Sequence, residues 1–204
     1  MGTRQRQLEP TPDDLPALLR KIRRCTLCRP LPLGTKPILQ ANRMARILIA
    51  GQAPGRRAHL SGLPFDDASG DRLRQWLGVT RECFYDDKFI AIVPMGFCYP
   101  GSSSTGDLPP RPECAATWRA ALLERLPNIE LTVVLGQYAL AWHGWGNGVR
   151  VTDAVRDWQN HWPHRIALPH PSPRNQRWFK ANPYFELEVL PRLRERVATM
   201  LTGR

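Results

Sequence analysis

His170 stands in LPHPSPRN (168–175), just past an apolar run and close to three prolines. Proline fixes its own φ and restricts the residue before it, so this loop is stiff. A donor held still is what stabilisation of a developing negative oxygen requires. Ser172 can bind a phosphate through its hydroxyl or its backbone N–H. A lone histidine after a strand is more often structural than catalytic, and the flanking Pro-Ser-Pro moves the reading towards function. A second segment, GQAPGRRAHLSGLPFDDASGDRL (51–73), leaves another apolar run with Gly51 and Gly55 around Pro54. Glycine lets a backbone approach a ligand closely, and exposed N–H groups bind phosphate or polarise an oxygen. Taken alone this segment is unspecific, because Gly-Pro turns after strands are common.

The third chemical feature is thiol. Cysteines stand at 25, 28, 83, 98 and 114. A cytoplasmic setting disfavours structural disulfides, and clustered cysteines there more often ligate metal or do redox chemistry. The odd count fits four ligands plus a bystander.

Elements that would position these residues alternate along the chain. Asp13 or Asp14 caps a first helix running to about Cys28, with Leu15, Leu18, Leu19 and Ile22 at helical spacing. ARILIAG (45–51), FIAIVPMG (89–96), ELTVVLG (130–136) and RIALPHPS (165–172) read as buried strands. Helices are expected over 70–78, 111–126, 137–144, 151–162 and 184–201, and a Gly/Ser/Pro-rich loop over 101–112. Continuous apolar strands alternating with helices imply an α/β fold: a three-layer α/β/α sandwich around a central, mainly parallel four-stranded sheet. Ligands in such folds bind beyond the carboxyl ends of the strands. GQAPG, PMGFC and PHPSPRN should therefore meet at one edge of the sheet.

Composition narrows the partner. The 204 residues suit a single domain spanning 1–204, with 1–12 expected to be flexible. Lys and Arg number 29 against 18 Asp and Glu, a net charge of +11, which favours a polyanionic partner. A basic solvated face is the plainer alternative. No apolar run approaches the roughly 20 residues needed to span a bilayer, and the N-terminus lacks an apolar secretory core. A cytoplasmic monomer with no membrane association is expected.

The order of strand, GQAPG, SGLPF, cysteine segment and HPSPRN resembles the uracil-DNA glycosylase superfamily. The resemblance covers about Cys25 to Asn175. The cysteine arrangement is most similar to the iron–sulfur-containing family 4 branch. It implies a [4Fe–4S] cluster on Cys25, Cys28, Cys98 and Cys114, with Cys25 and Cys28 on the first helix. A four-cysteine zinc site uses similar ligands, so the sequence does not separate the two. A bare redox pair would leave Cys98 and Cys114 idle, and a ligand-free set is a further alternative. Cys83 reads as a plain buried thiol.

The same resemblance implies a monofunctional glycosylase acting on DNA that contains uracil or another deaminated base. Such an enzyme flips the base out and hydrolyses its bond to deoxyribose. His170 would donate to the pyrimidine O2. Phe65 would stack on the flipped base, with an ordinary core phenylalanine as the alternative. Gln52 and Ala53 would line the pocket floor through backbone N–H groups, Gln52 as part of the catalytic set, together with Gly51, Pro54 and Gly55. Ala53 stands where the most efficient branch places a water-activating Asp, as is also so in family 4. His59, Asp66 and Asp67 are the candidates for that work, Asp66 foremost.

One position departs from the branch. Family 4 members usually carry an Asn four residues before the third cluster cysteine, and here that position is Pro94. Proline has neither an N–H nor a side-chain hydrogen bond to offer a base. Backbone groups of Met95 and Gly96 are the expected substitutes. DNA would be gripped by Ser172, Arg174, Asn175 and Arg177, with Lys180 beyond them. Trp178 or Phe179 would either wedge into the base stack or pack in the core of an amphipathic helix. No lysine falls within GQAPG, SGLPF or HPSPRN, so no covalent lysine mechanism is expected. Two other readings stand beside the enzyme. One is a weak or inactive module of the same fold that binds damaged or single-stranded DNA. The other is a thiol redox or zinc protein.

Overall fold

A computed structural model describes residues 14–104, 106–146 and 148–203. The expected flexible segment 1–12 and the alternative cap Asp13 lie outside the described residues. In chain order the elements begin with α1 (Leu15–Arg23), β1 (Ile47–Ala50), α2 (Arg56–Ser61), α3 (Ala68–Leu77), α4 (Arg81–Tyr85) and β2 (Ile90–Ile92). A small hairpin of β3 (Ser102–Ser103) and β4 (Gly106–Asp107) follows. Next, α5 (Pro112–Cys114) runs through a π-helical turn (Ala115–Arg119) into α6 (Ala120–Leu123). Then come β5 (Leu131–Leu135), α7 (Gln137–Leu140), α8 (Val151–Arg156), β6 (Arg165–Leu168), α9 (Gln176–Ala181) and α10 (Leu190–Thr202).

The central sheet has four strands in the order β2-β1-β5-β6, and all its pairs are parallel. It is thus fully rather than mainly parallel. Side chains alternate across it, as strand geometry requires. Ile47, Ile49, Ile90 and Ile92 join a core built with Leu73, Trp76 and Leu77 of α3 and Leu193, Val197 and Met200 of α10. Leu48, Ala91 and Val93 join a second core with Leu15, Leu19 and Ile22 of α1 and Leu122 of α6. Helices therefore cover both faces, and the sheet is the middle layer of a sandwich. The outer edge of β2 is closed by Gln40, which exchanges backbone hydrogen bonds with Ile92 and donates from Nε2 to Ile90 O at 2.7 Å.

Local signals set the helix ends. Asp14 caps α1 by accepting from Ala17 N at 2.9 Å. Gly78 closes α3 in the left-handed conformation, φ 68°. The first helix is shorter than expected, and Cys25 and Cys28 lie after it rather than on it. Ile22 is the last apolar residue of its buried face, and basic residues at 20, 21 and 23 suit a helix C-terminus. Cys25 N then bonds back to Ile22 O at 2.9 Å, tightening the last turn.

β1 and β5 are neighbours from which the chain departs in opposite directions, to β2 and to β6. A crevice opens beyond the strand ends at such a switch point. The β1 and β2 exits stay joined past the strands, with Met95 N on Gly51 O at 2.8 Å and Gly96 N on Gln52 O at 2.9 Å.

Candidate active site

The exits of β1, β2 and β6 meet around one hollow of ≈ 310 Å³. That is at the small end of ligand sites, which run upward from about 300 Å³. Gly51 to Gly55 line one side, Ile92 and Pro94 another, and His170, Ser172 and Arg174 a third. Phe65, Asp67 and Ser69 come from the loop into α3, and Asp107 from the hairpin.

Phe65 holds a backbone conformation that L-residues seldom adopt, φ 56°. Two glycines make room for it. Its ring atom Cζ lies 3.4 Å from where a Gly51 Cβ would stand. Its carbonyl packs against Gly70, on the first turn of α3. Asp67 fixes that turn, accepting from Gly70 N at 2.9 Å. The ring meets Phe84 edge-on at 6.3 Å between centroids. A strained aromatic held from several sides at a pocket wall is a common mark of a functional position.

His170 is half-buried, and its orientation is fixed from within its own loop. Ser172 N donates to His170 Nδ1 at 3.2 Å, and Asn175 Nδ2 donates to His170 O at 2.7 Å. A backbone N–H can only donate, so Nδ1 is an acceptor and the proton of the neutral ring resides on Nε2. Burial lowers the imidazole's pKa below its ordinary value, against the opposing charges of Asp67 and Asp107. The site therefore carries a neutral histidine with one N–H to give.

Three expected residues lie elsewhere. Asp66 is turned to Arg81, paired at 2.8 Å, and that partner holds its carboxyl below the ordinary carboxylate range. Met95 and Gly96 do not line the hollow, and their N–H groups are spent on Gly51 and Gln52. They are not free to replace the missing amide at Pro94. Pro94 itself lines the hollow, and its carbonyl accepts from buried Arg119 Nη1 at 2.9 Å. At this part of the wall Pro94 thus has no N–H to offer a base, and its carbonyl already accepts one hydrogen bond.

Other roles shift from their expected form. Gln52 and Ala53 both line the hollow, and the Gln52 side chain has a separate part: its Nε2 donates to Leu108 O at 2.9 Å and ties down the hairpin. His59 is buried behind the site with its ring 6.2 Å from that of Tyr99. Trp178 and Phe179 pack inward: Trp178 Nε1 donates to Thr152 Oγ1 at 2.8 Å, and both rings meet Phe185. Neither is a wedge for the base stack. Arg174, Arg177 and Lys180 remain exposed on that side of the site.

Sequence reasoning passed over Asp107, Ser69, Arg56 and Arg57. The two arginines open α2 directly after GQAPG and are exposed beside the hollow, so their position in the sequence was a usable signal. Asp107 sits in a Gly/Ser stretch with no periodicity and gave none.

A family model described as the uracil DNA glycosylase superfamily matches residues 40–194. The chain belongs to the uracil DNA glycosylase superfamily. Membership supports a glycosylase-type hydrolase of DNA repair with DNA as substrate. The matched region begins after Cys25 and Cys28, so it does not assign the branch. Among the described residues, no helix is long and apolar enough to cross a membrane.

The four expected ligand cysteines line a single second hollow, with Cys83 outside it. Two of these sulfurs accept from N–H donors: Cys114 from Phe97 N at 3.3 Å and Cys25 from Trp118 Nε1 at 3.3 Å. Burial pushes the Cys98 thiol up to about 11 and Cys114 up to about 12. Among the described residues, no group of three or more His, Cys, Asp or Glu is placed to hold a metal ion.

Proposed function

We propose that this glycosylase-fold protein flips a deaminated base, uracil in the first instance, out of DNA and hydrolyses its N-glycosidic bond without a covalent intermediate. The observation that carries the reading is the hydrogen bond from Ser172 N to His170 Nδ1. It leaves Nε2–H as the ring's one donor, on a residue that lines the hollow Phe65 walls. As the bond to the sugar breaks, charge builds on the base oxygen, and a fixed neutral donor stabilises it without reorganisation. Removing one such donor costs about 3 kcal/mol in comparable oxyanion sites. Phe65 supplies the stacking face for the flipped ring. Arg174, Arg177, Arg56 and Arg57 supply phosphate contacts around the mouth.

A test is base release from single-stranded and duplex oligonucleotides carrying uracil, hypoxanthine or xanthine, with His170→Ala beside the parent. Release that drops by two or more orders of magnitude in the variant is expected. A parent that releases none of the three removes the enzymatic reading. A second reading, a binder without turnover, is favoured by Pro94, which has no N–H to offer a base. It predicts tight, salt-sensitive binding of the same oligonucleotides with every base retained.

We further propose that Cys25, Cys28, Cys98 and Cys114 hold a [4Fe–4S] cluster. The support is the chemistry of the donors: four cysteines line one hollow, and two of their sulfurs receive N–H bonds that would stabilise thiolates, although the four are not drawn together as a ligand set. When bound, the group supplies a structural cross-link rather than a step of hydrolysis. The residues it would join belong to the turn after α1, the segment after β2, and α5.

A further inference from the structure

Of the residues expected to activate the water, Asp66 is paired away at Arg81 and Asp67, which lines the hollow, caps α3. The hollow nevertheless contains a carboxylate that no motif marks. Asp107 lies at the end of β4, opposite Ser102 of β3, and is exposed at the mouth. Ser102 Oγ donates to Asp107 Oδ1 at 2.7 Å. The Ser102 hydroxyl has one proton, so Tyr99 must be the donor in the 2.6 Å bond between Tyr99 OH and Ser102 Oγ. Tyr99 is buried, which anchors this chain of three residues in the body of the protein.

The remaining oxygen is aimed at the site. Asp107 Oδ2 lies 3.4 Å from where a side chain on Gly55 would begin, so the absence of that side chain keeps its approach open. The hairpin is held from one more direction, by Gln52 Nε2 on Leu108 O. Asp67 Oδ2 is close to the same point, at 3.7 Å, with Asp67 Oδ1 held by the backbone of α3; Asp107 differs in being tied through hydroxyl groups to buried Tyr99. His170 senses the Asp107 charge across the hollow.

We propose that Asp107 is the catalytic carboxylate that orients the attacking water and takes its proton, with Ser102 and Tyr99 as positioning residues. The proposal rests on the glycosylase reading. The C1′–N bond breaks, its electron pair passes to the base, and His170 Nε2–H stabilises the resulting negative oxygen. The water oxygen forms the new bond to C1′ and loses one proton to Asp107 Oδ2. The base anion then takes up a proton from solvent, and Asp107 returns its own to solvent. The products are the free base and an abasic deoxyribose. Before the water adds, the negative carboxylate also faces a sugar that is gaining positive charge, which lowers the barrier in the same direction.

The experiment is single-turnover release of uracil at saturating protein, compared with binding of an oligonucleotide carrying unreactive 2′-fluoro-2′-deoxyuridine. Asp107→Asn keeps the shape and removes the charge. It should slow release on the order of 100-fold while leaving binding of the unreactive strand intact. Ser102→Ala should give a smaller loss in the same rate, and Ser102→Thr should recover it, since threonine restores the hydroxyl. A purely structural hairpin would instead lose binding and rate together, and that result overturns the assignment. So does an active parent whose Asp107→Asn variant releases uracil at the parent rate. A parent that releases nothing from any substrate removes the glycosylase reading, and the assignment falls with it.

Discussion

The carbonyl oxygen of Phe65 occupies the space that a side chain on Gly70 would need: a Cβ there would come within 1.7 Å of it. The contact couples the first turn of α3 to the aromatic wall of the hollow. Gly70→Ala must therefore move Phe65 or unwind the turn that Asp67 caps. We expect a stability loss of about 1–3 kcal/mol, as for other overpacked sites, together with weaker base release. Urea unfolding and uracil release measured on the same variant check both. Intact release would mean that the Phe65 position is not needed for chemistry.

The protonation of His170 gives the pH dependence of release. The active form is the neutral ring, and burial lowers the pKa from 6.5. Release should stay level as pH falls from neutral through 6.5, then fall only as the depressed value is approached. A rate profile with unreactive-strand binding as reference checks this. A loss centred above pH 6.5 would show that the bond to Ser172 N does not keep the ring neutral.

How far these features could be read from residues alone differs from element to element. The strands were legible because ILIA, LTVVL and RIAL are apolar at all positions but Thr132 and Arg165, as strands of a sheet covered on both faces must be. His170 and GQAPG were legible as loops beyond strand ends. Asp66 and Asp67 are adjacent, and no periodicity says which faces inward; the N-cap of α3 turns Asp67 to the hollow and leaves Asp66 to Arg81. The strands β3 and β4 have two residues each, too few to show alternation, so Asp107 had no signature. Trp178 and Phe179 look like DNA-facing aromatics beside arginines. Their packing depends on Trp76, which is distant in sequence, and on Phe185 beyond the end of α9.

The thiol hollow makes a prediction that is independent of catalysis. Protein prepared without oxygen should show broad visible absorbance, with iron and acid-labile sulfide in equal amounts. Cys114→Ser should lose both and melt several degrees lower, because a bound group that joins separate segments adds to folding stability. Zinc in place of iron would overturn the cluster assignment and keep a metal site. Protein without either metal, and with unchanged melting on Cys114→Ser, would leave the cysteines as structural thiols.

The last prediction concerns the wall behind Pro94. Arg119 is fully buried and donates from Nη1 to Val93 O at 2.6 Å and Pro94 O at 2.9 Å. Its Nη2 lies 2.7 Å from His143 Nε2, and a guanidinium can only donate, so His143 must accept and stay neutral. Burial, with Arg119 and Arg165 beside it, brings the His143 pKa from 6.5 down to about 3. Between those two values the unfolded chain binds a proton that the folded chain refuses. The stabilisation is therefore complete above 6.5 and is lost as pH falls towards 3. His143→Gln keeps an acceptor for Arg119 and removes the titration. Its unfolding free energy should fall less steeply than the parent's between about pH 6 and pH 4. Equal slopes for the two proteins would show that other groups govern acid unfolding and that the Arg119–His143 contact opens before His143 titrates.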